Sequence, residues 1–586
     1  MTQRQMAAKL DVSLGTVNSL IAECEEDGLL DSGRVTKEGK AELEKHKVDN
    51  AVIFAAGFGS RFVPLTWDTP KGLLSVFGER MVERQIRQLH EVGITDITVM
   101  VGYMKEKFEY LKKKYNVKLR ENPEYDCKNT LSTLHWAKDL FENHNTYLLY
   151  SDNYLRDNMF HTYEPDAWYS TCFIEGKTSE WPFIFNKKKL ITNILEGGED
   201  AWVMYGPVYF TREFSAKFLP VIEKYYFSQA TENDYLEQVM LDWLHSSDRI
   251  VKLNAKDFPD FYANLQPDGQ VTELDSLEQM QQFDDYYKGA EINHALEIIC
   301  ETFKVKTTDI KNIKDTKVGL TNHSFTFTIN DKPYLCRVPW DINSGLINRV
   351  NEHENIEAVR PLDINEHVLY YDEETGYKIS EYYTNAVNAD INSDDDIRRC
   401  FGIIHKLHNS GIKVNHDFSY RYFFEFCEKD CMGVTPITLE DYPKYRAYAA
   451  ELLEKLESMN RPKVLCHFDT NPANWLFLNN HEDLRLIDWE YGGMADHLVD
   501  VVGMCNYAML DKKSTDHITD LYFEGIGRKA TKEERGIIYA GIAIIGLAWA
   551  VWGVKACKIG GHYEDYTSGM YKLMKDYYKE AVKCLQ

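Results

Sequence analysis

The sequence predicts an α/β multidomain chain: a small helical head, a central α/β domain with a mostly parallel sheet, and a bilobal α+β domain. Three observations lead there. A length of 586 residues exceeds what one hydrophobic core can serve. From Asn50 onward, apolar runs of the buried-strand kind alternate with amphipathic helical stretches. Past Tyr286-Tyr287-Lys288-Gly289 that alternation stops, and antiparallel-looking strands lead into a long, mainly helical half. These breaks divide the chain at 1–47, 48–289 and 290–586.

Composition narrows the function. The chain has 67 Lys+Arg against 92 Asp+Glu, a net charge of −25, with 44% hydrophobic and 13% aromatic residues. That excludes a disordered acidic chain and argues against a general polyanion binder, which needs clustered Lys and Arg. Of 12 cysteines, Cys427 and Cys431 form the closest pair, without a second pair or matching histidines, so reduced thiols in a cytoplasmic enzyme are expected. The start, MTQRQMAAKLD, lacks the apolar core of a signal peptide. Gly536 to Val554 carries no charge and is long enough for a bilayer. It stands alone, is rich in glycine and has no flanking charge asymmetry, so it reads as a buried core helix rather than a membrane span.

In the head, helical spacing surrounds Asp11-Val12-Ser13, with Ser13 as the N-cap of a second helix, followed by a hairpin and a last helix. This resembles a winged helix-turn-helix module. Its recognition helix, Ser13 to Glu25, has no Lys or Arg and runs into Glu25-Glu26-Asp27, which argues against nucleic acid as a partner. A dimerisation or regulatory appendage, with the chain as a homo-oligomer, is the better reading.

In the central domain, the strand AVIFAAG runs into Gly57-Phe58-Gly59-Ser60-Arg61. Glycines there let the backbone approach a phosphate chain and aim amide N–H groups at it. Arg61 suits a departing pyrophosphate, and Lys71 follows as a second cation, with Pro64-Leu65-Thr66 and Pro70-Lys71 in register. The pattern resembles the nucleotidyltransferases that make NDP-sugars and CDP-alcohols, Rossmann-like in fold, and most of all bacterial CTP:phosphocholine cytidylyltransferases. Asn122-Pro-Glu-Tyr125, Asn129-Thr130-Leu-Ser132 and the aspartate of YLLYSDNYL continue it. The resemblance implies CTP on Ala55, Ala56, Gly57, Gly59, Ser60 and Arg61, with Asn129 and Ser132 nearby, Lys71 on the phosphates and Asp152 on Mg²⁺. Where the family carries a second metal carboxylate, this sequence departs from the pattern; Glu237 is the nearest equivalent and Asp234 the alternative. Glu273 and Asp275 match a late family motif with a structural role as the alternative. Trp181 and Tyr209 are candidates for facing phosphocholine.

In the last domain, CHFDTNPANWLFLNNHEDLRLIDWEYGG places Asp469 before a hairpin, Asn474 five residues further on, and Asp488 at the end of the second strand. Asp469 can accept a substrate hydroxyl proton while Asn474 and Asp488 hold Mg²⁺ on ATP. This resembles the choline kinase and aminoglycoside phosphotransferase branch of the protein-kinase-like fold. The resemblance implies that Thr321 and Asn322 belong to the phosphate-covering turn and that Arg337 replaces the ATP-binding lysine. Glu352 is implied as its partner, with Glu354 competing, and Ile379 to Tyr383 forms the interlobe hinge. A quaternary ammonium has no N–H to donate and is recognised by aromatic faces and a nearby carboxylate. Glu490 and Tyr491 supply such groups locally, and Trp549 and Trp552 share a helix face and resemble the family's choline-facing tryptophans.

The expected function is therefore bifunctional: choline and ATP give phosphocholine, which CTP converts to CDP-choline and pyrophosphate. The same reactions on ethanolamine or another small alcohol, or a DNA-binding regulator that senses these metabolites, are the alternatives.

Overall fold

The computed structural model describes residues 2–586 apart from residues 11, 232, 290–292, 317–321, 340–344 and 560–562. Two units divide the chain, Met1–Asn293 and His294–Gln586.

The first unit carries the head on its α/β domain. Helices Gln3–Leu10 and Leu14–Glu26 precede a short hairpin, Leu30–Asp31 with Arg34–Val35, and a helix Lys37–Lys45. Ser13 caps the second helix, its Oγ accepting the Thr16 N–H at 3.0 Å. The head is tied down where it ends: Asn145 Nδ2 donates to the carbonyls of Lys45 and Lys47, both at 2.9 Å.

Asn50–Ala55 is buried at all six positions, which explains its unbroken apolar run. It sits inside a sheet that, among the described residues, runs in the order Tyr262–Leu265, Trp168–Thr178, Gly198–Phe210, Thr146–Tyr150, Asn50–Ala55, Ile97–Val101, Lys118–Glu121. Gly198–Phe210 is antiparallel to both neighbours, and the remaining pairings are parallel. From Asn50–Ala55 the chain first builds outward to Lys118–Glu121, then returns to Thr146–Tyr150 on the other side. Such a reversal opens a crevice at the carboxyl ends of the two central strands. Ala55-Ala56-Gly57 and Ser151-Asp152 both lie there.

The second unit opens with a five-stranded antiparallel sheet, Lys311–Asp315, Asn322–Ile329, Lys332–Pro339, Lys378–Glu381 and Val368–Tyr371 in that order. Helices follow, among them Asp394–His408, Tyr420–Val434, Val499–Tyr507, Lys532–Lys558 and Glu564–Leu585. Lys532–Lys558 is long and apolar enough to cross a membrane, yet 94% of its most apolar window is buried inside the fold. Its glycines have a packing reason: a Cβ at Gly546 would lie 2.8 Å from the Met570 carbonyl oxygen, and one at Gly553 would lie 2.1 Å from Thr567 Oγ1. Small residues on this face let Glu564–Leu585 pack at close range.

A capping box starts this long helix. Thr531 Oγ1 accepts the Glu534 N–H at 3.1 Å, and Glu534 Oε2 accepts the Thr531 N–H at 2.8 Å. Burial opposes ionisation of Glu534, but hydrogen bonds from Arg528 and Thr531 prevail and hold it down to about 2. A depressed carboxylate contributes stability above its unfolded pKa, near 4.5, and loses that contribution as pH falls toward about 2. Thr531→Ala should destabilise this unit by about 1 kcal/mol, read as an earlier melting transition of the kinase-like half.

Candidate active sites

In the first unit the nucleotide loop follows directly from the central strand. Ala55 and Ala56 are buried, and Gly59 adopts a left-handed φ of 64° that starts the short turn Ser60–Phe62. A Cβ on Gly59 would lie 2.9 Å from Thr66 Cγ2 and 3.0 Å from Lys71 Cβ, so the position excludes a side chain on two grounds. Thr66 Oγ1 donates to the Gly59 carbonyl at 2.9 Å and fixes the loop.

Lys71 is the centre of charge. Its Nζ lies 2.8 Å from Asp152 Oδ2 and 3.0 Å from Asp275 Oδ1, and Arg61 Nη1 lies 3.1 Å from Asp275 Oδ2. Burial opposes the ammonium, but the two aspartates prevail and raise its pKa. Val271–Glu273 pairs antiparallel with Asn153–Leu155, Glu273 opposite Asn153, and this pairing delivers Glu273 and Asp275 to Asp152. The three acids can offer carboxylate oxygens within 4.8 Å of one another. Burial, then the charges of Asp152 and Asp275, push Glu273 up to about 8. Three crowded carboxylates, one of them driven to hold its proton, could together hold a hard divalent cation.

The structure does not bring Glu237 into that cluster. Its Oε1 instead accepts the hydroxyls of Tyr150 at 2.5 Å and Tyr169 at 3.0 Å. The alternative, Asp234, is engaged by Arg249 at 2.7 Å. Glu273 and Asp275, read from the sequence only as a motif with a structural alternative, take the place beside Asp152. Ser132 is fully buried: its hydroxyl donates to the Asn129 carbonyl at 2.9 Å and receives Asn122 Nδ2 at 3.1 Å, so it shapes the loop. Asn129 precedes helix Thr130–Ala137 and donates to the Asn233 carbonyl at 2.7 Å. Tyr209 is buried in the core, 5.0 Å from the Tyr147 ring, whereas Trp181 is half-buried. The sequence reading missed Tyr103, which joins the motif residues Phe58 and Tyr125 beside the glycine loop, the Phe58 ring lying 5.0 Å from Tyr103 and 5.4 Å from Tyr125.

In the second unit Arg337 and Glu352 form a buried two-pronged pair, Nη1–Oε1 2.5 Å and Nη2–Oε2 2.9 Å. Glu354 binds His416 instead, at 3.0 Å. Arg349 and the Tyr371 hydroxyl complete the ring around Glu352, at 2.9 and 2.7 Å. Burial opposes ionisation of Glu352, but Arg337 and Lys378 hold it well below the usual carboxylate range.

The loop after Val464–Cys466 is held from below. Asp500 Oδ1 accepts the backbone N–H groups of His467 at 3.0 Å and Phe468 at 2.6 Å, and His408 Nε2 lies 2.8 Å from Asp500 Oδ2. Phe468 and Asp488 take positive φ of 68° and 69°, backbone strain at the site itself. Asp469 is buried, with Asn471 Nδ2 at 2.7 Å from Oδ1 and Asn474 Nδ2 at 2.9 Å from Oδ2. Burial, opposed by the Asn471 hydrogen bond, pushes Asp469 up to about 7. Asp488 Oδ1 is buried without a hydrogen bond, 3.6 Å from Arg337 Nη1, and this orphaned acceptor suits a metal. Thr321 lies outside the described residues, as does the side chain of Asn322.

Aromatic rings gather on the other side of Asp469. Trp549 stands 5.2 Å from Phe423, 6.0 Å from Tyr507, 6.2 Å from Tyr491 and 5.6 Å from Trp552, which in turn meets Tyr563 at 5.3 Å. Burial and then the charge of Asp469 raise the phenols of Tyr507 and Tyr566, placing both near that carboxylate. The Tyr491 hydroxyl is buried without a hydrogen bond. Glu490 keeps its nearness to the rings: burial and then the Glu490 charge raise the Tyr491 phenol. Its carboxylate lies 3.9 Å from Arg349 on the Glu352 side, pushed up to about 8 by burial, Asp488 and Glu352.

Residues 50–167 match the nucleotidyl transferase family, and residues 385–535 match the phosphotransferase enzyme family. The choline-phosphate cytidylyltransferase of Streptococcus pneumoniae is 33% identical over 238 residues, which are 41% of this chain and 98% of that protein. The chain belongs to the cytidylyltransferase family. A second cytidylyltransferase, the 2-aminoethylphosphonate enzyme of Lancefieldella rimae, is 34% identical over 242 residues, 41% of this chain and 93% of its own length. The crystal structure of a choline kinase from Streptococcus pneumoniae covers 50% of this chain and 99% of its own, at 23% identity and a TM-score of 0.41.

Proposed function

We propose that the chain is a bifunctional enzyme of CDP-choline synthesis. The second unit phosphorylates choline with ATP, and the first transfers CMP from CTP to the phosphocholine formed, releasing pyrophosphate. The observation that carries this reading is the ring cluster around Trp549 beside Asp469: a proton acceptor for a hydroxyl set next to faces for a cation without N–H groups. Asp469 takes the hydroxyl proton as the choline oxygen bonds to the γ-phosphorus and ADP departs. In the first unit a phosphocholine oxygen attacks the α-phosphorus of CTP, with Lys71 and Arg61 positioned to meet negative charge on the phosphates. Mg²⁺ held by Asn474 and Asp488 in one unit, and by Asp152, Asp275 and Glu273 in the other, would withdraw charge from the phosphates. The twelve cysteines are free, which supports a cytoplasmic setting. Leu14–Glu26 has no basic residue in its last turn, which supports a regulatory or dimerising head over a DNA-binding one.

Phosphorus NMR of the chain with choline, ATP, CTP and Mg²⁺ tests the reading. Phosphocholine should appear first, then CDP-choline and pyrophosphate; untouched choline would defeat it. The Lancefieldella relative favours a second reading, in which the first unit takes an aminophosphonate, so 2-aminoethylphosphonate belongs in the same experiment. For the kinase half, Trp549→Ala should raise the KM for choline roughly 2- to 30-fold, the worth of one aromatic face, with the KM for ATP unchanged. Equal shifts in both constants would give Trp549 a purely structural part.

A further inference from the structure

Glu237 is a motif residue that the cytidylyltransferase chemistry leaves unused. It opens helix Leu236–Leu244, with its carboxylate half-buried. Two phenols, Tyr150 and Tyr169, donate to the same oxygen. No Lys, Arg or His among the described residues pairs with it, whereas Asp234, three positions earlier, is engaged by Arg249. An ionised carboxylate withdrawn from water is costly without a cation, and phenol donors offset only part of that cost.

Its surroundings give the missing cation a source. Tyr150 ends the strand that leads to Asp152, and Ser151 N–H continues the ladder to the Phe54 carbonyl at 3.0 Å. Asp152 therefore lies two residues beyond Tyr150, in the turn at the strand end. The Tyr169 phenol feels the charge of Glu273, the neighbour of Asp152. On its other flank Glu237 is tied to the nucleotide side: Leu236 N–H donates to Thr130 Oγ1 at 3.1 Å, and Asn129 Nδ2 holds the Asn233 carbonyl. The carboxylate is thus tied through Tyr150 to the strand end that leads into Asp152, and through its own helix to the segment around Asn129 and Thr130.

We propose that Glu237, presented by Tyr150 and Tyr169, is the carboxylate that recognises the ammonium end of the phosphorylated amino alcohol in the cytidylyltransferase site. This rests on the reading that the site takes such a substrate. It makes Glu237 a specificity residue and leaves metal binding to Asp152, Asp275 and Glu273. The attraction is one of charge, so it serves a quaternary ammonium as well as a primary one.

The test compares phosphocholine with 3,3-dimethylbutyl phosphate, its uncharged tert-butyl isostere, using the full chain with CTP and Mg²⁺. Glu237→Gln should lower kcat/KM for phosphocholine about tenfold or more. It should leave the isostere within about twofold and the KM for CTP unchanged. Glu237→Asp should recover part of the loss. Equal losses on both esters, or none on phosphocholine, would overturn the proposal. Tyr169→Phe gives the same comparison, with a smaller loss confined to the charged ester, should Glu237→Gln not fold. If the wild-type chain uses 2-aminoethylphosphonate and not phosphocholine, the choline reading of this unit fails by itself. The pair 2-aminoethylphosphonate and n-propylphosphonate then decides Glu237: a loss confined to the amine upholds its role, and an equal loss overturns it.

Discussion

A chain carrying Asp469→Asn should make no detectable phosphocholine from choline and ATP, while converting added phosphocholine to CDP-choline at the wild-type rate. Asp469 lies between Asn471 and Asn474 with both oxygens hydrogen-bonded, so its position is fixed before substrate arrives. An asparagine fills the same volume but cannot accept the proton of an attacking hydroxyl. Loss of a positioned base costs about 10²- to 10⁴-fold in kcat. Because Arg337–Glu352 and the ring cluster are untouched, the KM values for ATP and choline should change little. A variant that kept its kcat within about threefold would mean that the hydroxyl proton leaves by another route.

Asp152→Asn should do the reverse: phosphocholine accumulates, and CDP-choline and pyrophosphate do not form. Asp152 meets Lys71 at 2.8 Å and stands with Glu273 and Asp275 in the acidic cluster. Its loss strips charge from the cluster where a cation is expected and releases one hold on the Lys71 ammonium. Removing one preorganised electrostatic contact of this kind costs roughly 10²- to 10³-fold, and two roles are lost together here. The readout is the ratio of phosphocholine to CDP-choline in a single incubation. An unchanged ratio would move the metal site elsewhere. Taken with Asp469→Asn, the pair separates the two units by their products alone.

Much of this was legible in the sequence because the signals are local. The strand ending at Ala55-Ala56-Gly57 announces itself through an unbroken apolar run, and Asp469, Asn474 and Asp488 lie within one loop and hairpin. Arg337 and Glu352 were legible too, since a strand and the helix after it meet across a short connection. What escaped was carried by long-range pairing. Nothing near Asp152 says that Val271–Glu273 will lie beside Asn153–Leu155, so Glu237 looked the better partner. Tyr507 and Tyr566 carry no sequence mark that separates them from other buried aromatics, and only their nearness to Asp469 gives them a role.

The division of labour inside the second unit has a practical side. Trp549 and Trp552 ride on Lys532–Lys558, whose Ile542 carbonyl accepts Asn506 Nδ2 from the helix that carries Asp500. On the proposed reading, two of the rings that select the alcohol lie on a piece of chain separate from the loop that carries Asp469. An engineer who wished to redirect the enzyme to a bulkier or less charged alcohol could recut the faces along that helix, keeping the glycines that seat Glu564–Leu585, and leave the reaction itself alone.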